Sequence, residues 1–268
     1  MEMREIDLRQ YPSIVQSQRH AGKTSERYAF VSTLQAANVL KESGWVPVGA
    51  RENKSRDHRG YQMHEIRFRS SSLNREFEVG EEIPEIVLQN SHMGLGSFVL
   101  MAGLHRCICS NQLCVPSGIV AVHRVRHVGY ADQLVHEALQ GIVRGVPKTL
   151  QTVERYKAIP LSDKERGAFA KAAIELRFDG DRFSVAPQDV LQKRRSYGDD
   201  GHDLWTTLNR VQENLIKGGV ETRNRVGQRR KSKALQSIDV STRFNQTLWM
   251  LADVLAGLKA VTGGLPLA

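Results

Sequence analysis

Two segments of the chain alternate with a period of two. Only an extended strand needs that period, because its successive side chains leave on opposite faces. In Tyr61–Arg69 (YQMHEIRFR), Gln62, His64, Ile66 and Phe68 point one way, while Tyr61, Met63, Glu65, Arg67 and Arg69 point the other. In Ile119–Val128 (IVAVHRVRHV), Ala121, His123, Val125 and His127 share one side, and Val120, Val122, Arg124, Arg126 and Val128 share the opposite one. Neither side of this second strand is wholly polar, so it is expected to be covered on both faces. Trp45–Ala50, Ile83–Leu88 and Ser97–Ile108 read as three further strands.

Helical signals surround this strand-rich half. Ser32 or Thr33 suits an N-cap for a helix with Leu34, Ala37, Val39 and Leu40 on its apolar side, and Gly44 suits its end. After Tyr130 the pattern turns helical. Asp132–Val143 is expected to end near Gly145 and Pro147, with Lys148–Lys157 and Asp163–Leu176 as separate helices beyond. Phe178–Val185 reads as a small hairpin around Asp179 and Gly180. Asp203 can cap a helix whose Leu204, Leu208, Val211 and Leu215 form one face, and Gly218-Gly219 stops it. A last amphipathic helix is expected over Phe244–Leu258. The expected class is α+β: an N-terminal antiparallel sheet with at least one packed helix (residues 1–130), then a mainly helical half (residues 131–268).

The chain of 268 residues is long enough for a substantial core, and its 40% hydrophobic content is ordinary for a globular protein. No apolar run approaches the roughly 20 residues of a membrane helix. The N-terminus MEMREIDLRQ has no apolar signal core, so a cytoplasmic protein is expected. Three cysteines do not suggest a disulfide framework.

Common catalytic templates are not completed. His136-Glu137 and His64-Glu65 lack the second histidine of a zinc-protease helix, because positions 140 and 68 are Gln and Phe. In Gly94-Leu95-Gly96-Ser97 the serine follows both glycines, so it is no nucleophile elbow. Cys107, Cys109 and Cys114, with His105 and His92 nearby, could hold zinc, but the i, i+2 spacing of the first two equally fits a buried strand. Asp199, Asp200, His202 and Asp203 could hold a divalent cation, or simply form a polar loop before a capped helix. The balance favours no metal, no cofactor and no catalytic residues.

Charge is the stronger signal. The formal net charge is +9, which favours a polyanionic partner. Arg223, Arg225, Arg229, Arg230, Lys231 and Lys233 fall within eleven positions with no acid among them. Lys193, Arg194 and Arg195 form a second patch, with Tyr197 and Trp205 close enough in sequence to stack on bases. Arg51, Lys54, Arg56 and Arg59 crowd the tip of the expected first hairpin, and Arg67 and Arg69 lie on its second strand. These fifteen cations are the expected phosphate contacts.

Asn90-Ser91-His92, Cys109-Ser110-Asn111 and Ser25-Glu26-Arg27-Tyr28 resemble motifs of the phage- and plasmid-borne proteins of domain-of-unknown-function family 932. The family's turn carries an acidic residue where this chain has Met93, which argues against an acid role for that turn. Asn90–Pro116, entered by a glycine turn, then reads as a structural core. The resemblance implies mobile-element biology. The expected activity is nucleic-acid binding, single-stranded DNA above all, in recombination, by a homo-oligomer with no membrane association. The alternative is an anti-defence or regulatory protein that binds a host protein or ribonucleoprotein. A weaker third reading is a metal-dependent nuclease using Asp199 and Asp200.

Overall fold

A computed structural model describes residues 4–75, 77–78, 81–107, 114–127, 132–178, 183–194 and 200–262. The protein is an α+β chain with two compact units, Met1–Thr149 and Leu150–Ala268.

The first unit is built on an antiparallel meander of five strands in the order β1-β2-β3-β4-β5. The strands are β1 (Trp45–Glu52), β2 (His64–Ser70), β3 (Glu82–Asn90), β4 (Phe98–Cys107) and β5 (Cys114–Val125). Register follows the alternation. Ile66 faces Leu88, Leu88 faces Leu100, and Leu100 faces His123, so these positions share one face. That face packs on helix α1 (Thr33–Glu42) and the first part of helix α2 (Asp132–Lys157), with Leu40, Phe68, Ile86, Leu88, Leu100 and Ile142 fully buried or nearly so. Gly141 lets α2 come close, since a Cβ there would stand 2.9 Å from the His123 ring. Ser32 caps α1 by accepting from the Gln35 N–H at 3.2 Å. Val122 and Arg124, on the opposite side of β5, are exposed. Ser110 and Asn111 of the Cys109-Ser110-Asn111 motif lie outside the described residues.

Helix α2 departs from expectation. Two helices separated at Pro147 are one helix of 26 residues with Pro147 inside it. Proline forfeits one helical hydrogen bond and crowds the preceding turn. The stripe nevertheless runs on past the proline: Leu139, Ile142, Val146, Val153 and Tyr156 keep to one side, with buried Thr149 the one polar position among them.

The second unit contains α3 (Asp163–Arg177), α4 (Pro187–Leu191), α5 (Leu204–Lys217) and α6 (Ile238–Thr262). Ser162 and Glu165 close a full capping box on α3. Asp203 caps α5 by accepting from the Thr206 N–H at 2.8 Å. Helix α6 starts earlier than its apolar pattern suggests and extends beyond Leu258; Ile238 is fully buried and Ser241 N–H donates to the Ser237 carbonyl at 3.0 Å. Asp179 and Gly180, the expected turn of a small hairpin, lie outside the described residues. Phe183–Ser184 forms a short strand β6 that pairs with β7 (Glu221–Asn224), and β7 pairs with β8 (Arg229–Lys231). Among the described residues no helix is long and apolar enough to cross a membrane.

Candidate functional site

The cationic segment after α5 folds as a β-hairpin. Gly218, at φ 69°, ends α5 and lets the chain double back. A Cβ on it would meet the backbone of Ser232, Lys233 and Ala234 at 2.6–2.7 Å, so only glycine fits. Gly219 N–H donates to the Ser232 carbonyl and Ser232 N–H to the Val220 carbonyl, both at 2.8 Å, closing the base. At the tip, Asn224 Oδ1 accepts from the Val226 N–H at 3.2 Å and the Gln228 N–H at 2.9 Å, while Gly227 turns at φ 79°.

Register decides where the charges go. Arg223 faces Arg229, and Glu221 faces Lys231, so three cations and one carboxylate share a face. Glu221 reaches Arg223 at 3.3 Å and Arg229 at 3.6 Å. Arg230 stands opposite Thr222 on the other face. Arg223, Arg225, Arg229, Arg230, Lys231 and Lys233 are all exposed. Val226 at the tip is 76% exposed. Like charges facing each other across a strand pair repel. Water and the single carboxylate offset that cost, and an anionic ligand would offset it further.

The other expected phosphate contacts meet different fates. Arg67 Nη1 and Arg69 Nη2 lie 3.2 and 2.7 Å from the carboxylate of Glu85, which is fully buried. His105 Nδ1 approaches the same carboxylate at 2.9 Å. Burial pushes the Glu85 carboxyl up, but His105, Arg67 and Arg69 together outweigh it and hold it at about 2. Arg51 makes a two-point contact with Glu65, at 2.9 and 3.2 Å. Lys193 pairs with Asp200. Arg194 donates to Asn214 Oδ1 at 2.8 Å and to the Gly218 carbonyl, stapling the hairpin base to α5. Arg195 and Tyr197 lie outside the described residues. Trp205 is only 3% exposed and packs edge-on against Trp249, so it cannot stack on a base. Lys54, Arg56 and Arg59 are exposed on the loop between β1 and β2.

Sequence patterning also missed a buried polar cluster at one end of the five-stranded sheet. Antiparallel pairing brings the end of β1, the start of β2 and the end of β3 together, so Glu52 faces His64 and His64 faces Asn90. The N-terminal arm crosses this end. Asn90 Nδ2 donates to the Val31 carbonyl and to Thr33 Oγ1, each at 3.0 Å, and Asn90 Oδ1 accepts from the Ser91 N–H at 2.8 Å. Thr33 Oγ1 lies 2.8 Å from His64 Nε2, and His64 Nδ1 lies 2.9 Å from the Gln62 carbonyl. The carbonyl fixes the proton on Nδ1, so Thr33 donates to Nε2. His127 faces two acceptors, the Ala29 carbonyl and Asn90 Oδ1, both at 3.0 Å. Tyr28 stacks on the His127 ring and donates to the Ser91 carbonyl at 2.9 Å.

Burial holds the His64 imidazole at about 4 and the His92 imidazole at about 3; for His92, neighbouring His64 and His127 add to the effect. The Ser13 backbone opposes that shift, yet neither His92 ring nitrogen makes a well-directed hydrogen bond among the described residues. Thr33, His64, Asn90 and His92 are 0% exposed, so the cluster fastens the arm to the sheet and presents no reacting group to a substrate.

Among the described residues no three of His, Cys, Asp and Glu are placed to hold an ion. Cys107 faces Cys114 across β4 and β5, while Cys109 and Asp199 lie outside the described residues.

The meeting of Tyr28 with Ser91 and His127 joins two stretches that carry the resemblance noted above. A family model, Domain of unknown function (DUF932), matches residues 20–249. The chain belongs to the DUF932 family. Two relatives from Escherichia coli strain K12 are similar over nearly their whole length. UPF0380 protein YafZ is 34% identical over 255 residues, covering 94% of this chain and 90% of the relative. UPF0380 protein YfjQ is 33% identical with the same coverage. No solved structure matches. The DUF932 match takes in the arm from His20, the whole sheet and the basic hairpin.

Proposed function

We propose that this DUF932 protein binds nucleic acid, with single-stranded DNA as the favoured ligand, and that the β7–β8 hairpin is its principal contact. One observation carries this reading. The hairpin holds six exposed cations on a short, hydrogen-bonded frame, and among the described residues Glu221 is the one carboxylate paired with them. Cations on a rigid frame neutralise phosphates without first losing backbone entropy. Exposed Val226, between Arg225 and Gly227, adds an apolar contact for the face of an unpaired base. Arg67 and Arg69 converge on buried Glu85, and Arg51, Lys193 and Arg194 are bonded within the fold, so these five rank behind the hairpin's cations as phosphate contacts.

A role in recombination through a homo-oligomer follows from this reading as the context to examine. The alternative, capture of a host protein or ribonucleoprotein, uses the same surface and has no observation favouring it over DNA.

The test is the affinity of full-length protein for a labelled oligothymidylate across a salt series. Each phosphate contact on a single strand contributes a slope of about −0.7 in log K against log salt. The hairpin's five or six contacts are expected to contribute a slope of about −3.5 to −4.2. Binding that is absent at low salt, or insensitive to salt, would reject the proposal.

A further inference from the structure

The N-terminal unit gathers a second set of exposed cations that lie far apart in sequence. Residues 16–27 of the arm fold against the 53–63 loop at the polar end of the sheet. The His20 ring packs edge-on against His58 and Tyr61, with centroids 4.9 Å away in both cases, and His20 N–H donates to the His92 carbonyl at 2.9 Å. Glu52 fixes the arm further along, accepting from Ser13 N–H at 2.7 Å and Ser13 Oγ at 2.6 Å. Gly94 abuts the arm at Thr24, where a Cβ would stand 3.5 Å from the threonine methyl.

These contacts set Arg19, Lys23 and Arg27 of the arm at the same end of the sheet as Lys54, Arg56 and Arg59 of the loop. Arg19 and Arg59 each adjoin one ring of the His20–His58 pair in sequence. Five of the six cations are exposed and Arg19 is half-buried. The exposed carboxylates on the two segments are Glu26 and Asp57, because Glu52 is occupied by Ser13 and Gln62. Tyr61 and His58 are half-buried, which interleaves aromatic rings with the cations. Cations alternating with rings suit an unpaired strand, whose phosphates and base faces are both open.

We propose that this arm–loop surface is a second phosphodiester-binding surface, so that each compact unit engages the nucleic acid with its own cations. The proposal rests on the reading that the protein binds nucleic acid.

The experiment compares salt slopes for oligothymidylate binding by full-length wild type and the K23Q/R27Q/R56Q/R59Q variant. Four lost contacts are expected to flatten the slope by about 2.8. The charge-conserving R27K/R56K/R59K variant is expected to keep the wild-type slope. Should the fourfold variant melt early, R56Q/R59Q alone is expected to flatten it by about 1.4, since both side chains stand on an exposed loop. An unchanged slope in both neutralised variants overturns the proposal. Loss of slope in a hairpin variant alongside an unchanged arm–loop variant rejects this surface and leaves the function standing. Absence of salt-dependent binding by the wild type rejects the function itself.

Discussion

Arg67 and Arg69 lie two residues apart on a strand, and so do Arg229 and Lys231. As sequence the two pairs are equivalent. In the sheet, the neighbouring strand supplies Glu85, fully buried, and both guanidinium groups converge on it. In the hairpin, the neighbouring strand supplies Arg223 opposite Arg229, with one partly exposed carboxylate, Glu221, among three cations. The first pair is spent within the fold; the second is left facing water. Alternation tells which way a cation points. Whether a carboxylate waits there depends on a partner strand chosen by register, which a local pattern does not contain.

The comparison can be broken most forcefully at Glu85. Replacing it in E85Q leaves Arg67, Arg69 and His105 without their shared anion, and a loss of about 3–5 kcal/mol in urea unfolding is expected. Because the folded carboxyl sits at about 2 against an ordinary 4.5, its contribution is complete above 4.5 and declines as pH falls toward 2. A loss under about 1 kcal/mol would mean that the arginines are not committed to it.

The polar end of the sheet is the next test. Asn90→Ala removes the amide that joins Val31, Thr33, Ser91 and His127, and leaves buried groups without partners. A cost of about 2–3 kcal/mol is expected, with faster proteolysis of the arm. The histidines there add a pH signature. His64 and His92 stay neutral in the fold while unfolded imidazoles take up protons below about 6.5, so stability is full above 6.5 and falls as pH drops. Each ring contributes up to about 1.4 kcal/mol per pH unit as pH falls from 6.5 toward 5, and His92→Gln is expected to remove one ring's share of that slope. A stability profile flat across this window would contradict the buried, neutral rings.

The smallest effect is expected at Glu221, the hairpin's counterpart to Glu85. Glu221→Gln is expected to change stability by less than about 0.5 kcal/mol, because its pairs are exposed, while tightening oligothymidylate binding. A large destabilisation would show the hairpin to be organised like the sheet.

Much of the fold was legible in the sequence. The alternation of Tyr61–Arg69 put Ile66 and Phe68 on one side, which is the core face, and Ser32 and Asp203 marked helix starts that side-chain caps confirm. The continuous helix across Pro147 was not legible, since a proline is a strong local stop signal and the stripe that overrides it is carried by packing. Strands β7 and β8 are only four and three residues long, too short for a period of two to expose them. The cluster of Thr33, His64, Asn90 and His127 draws on four separate segments, and only antiparallel pairing assembles it. Its one local trace was the Asn90-Ser91-His92 motif. Trp205 illustrates the opposite error: its proximity in sequence to Lys193–Arg195 suggested stacking, but helix α5 turns it into the core.

One paired measurement tests the central claim most directly: salt-dependent oligothymidylate binding and urea unfolding, both on R229Q/R230Q/K231Q and on R67Q/R69Q. The hairpin variant is expected to unfold as wild type does and to lose about 2 from its salt slope. The sheet variant is expected to unfold more easily and, while folded, to keep the wild-type slope. A hairpin variant that binds with an undiminished slope, or a sheet variant that loses slope without losing stability, would contradict the account.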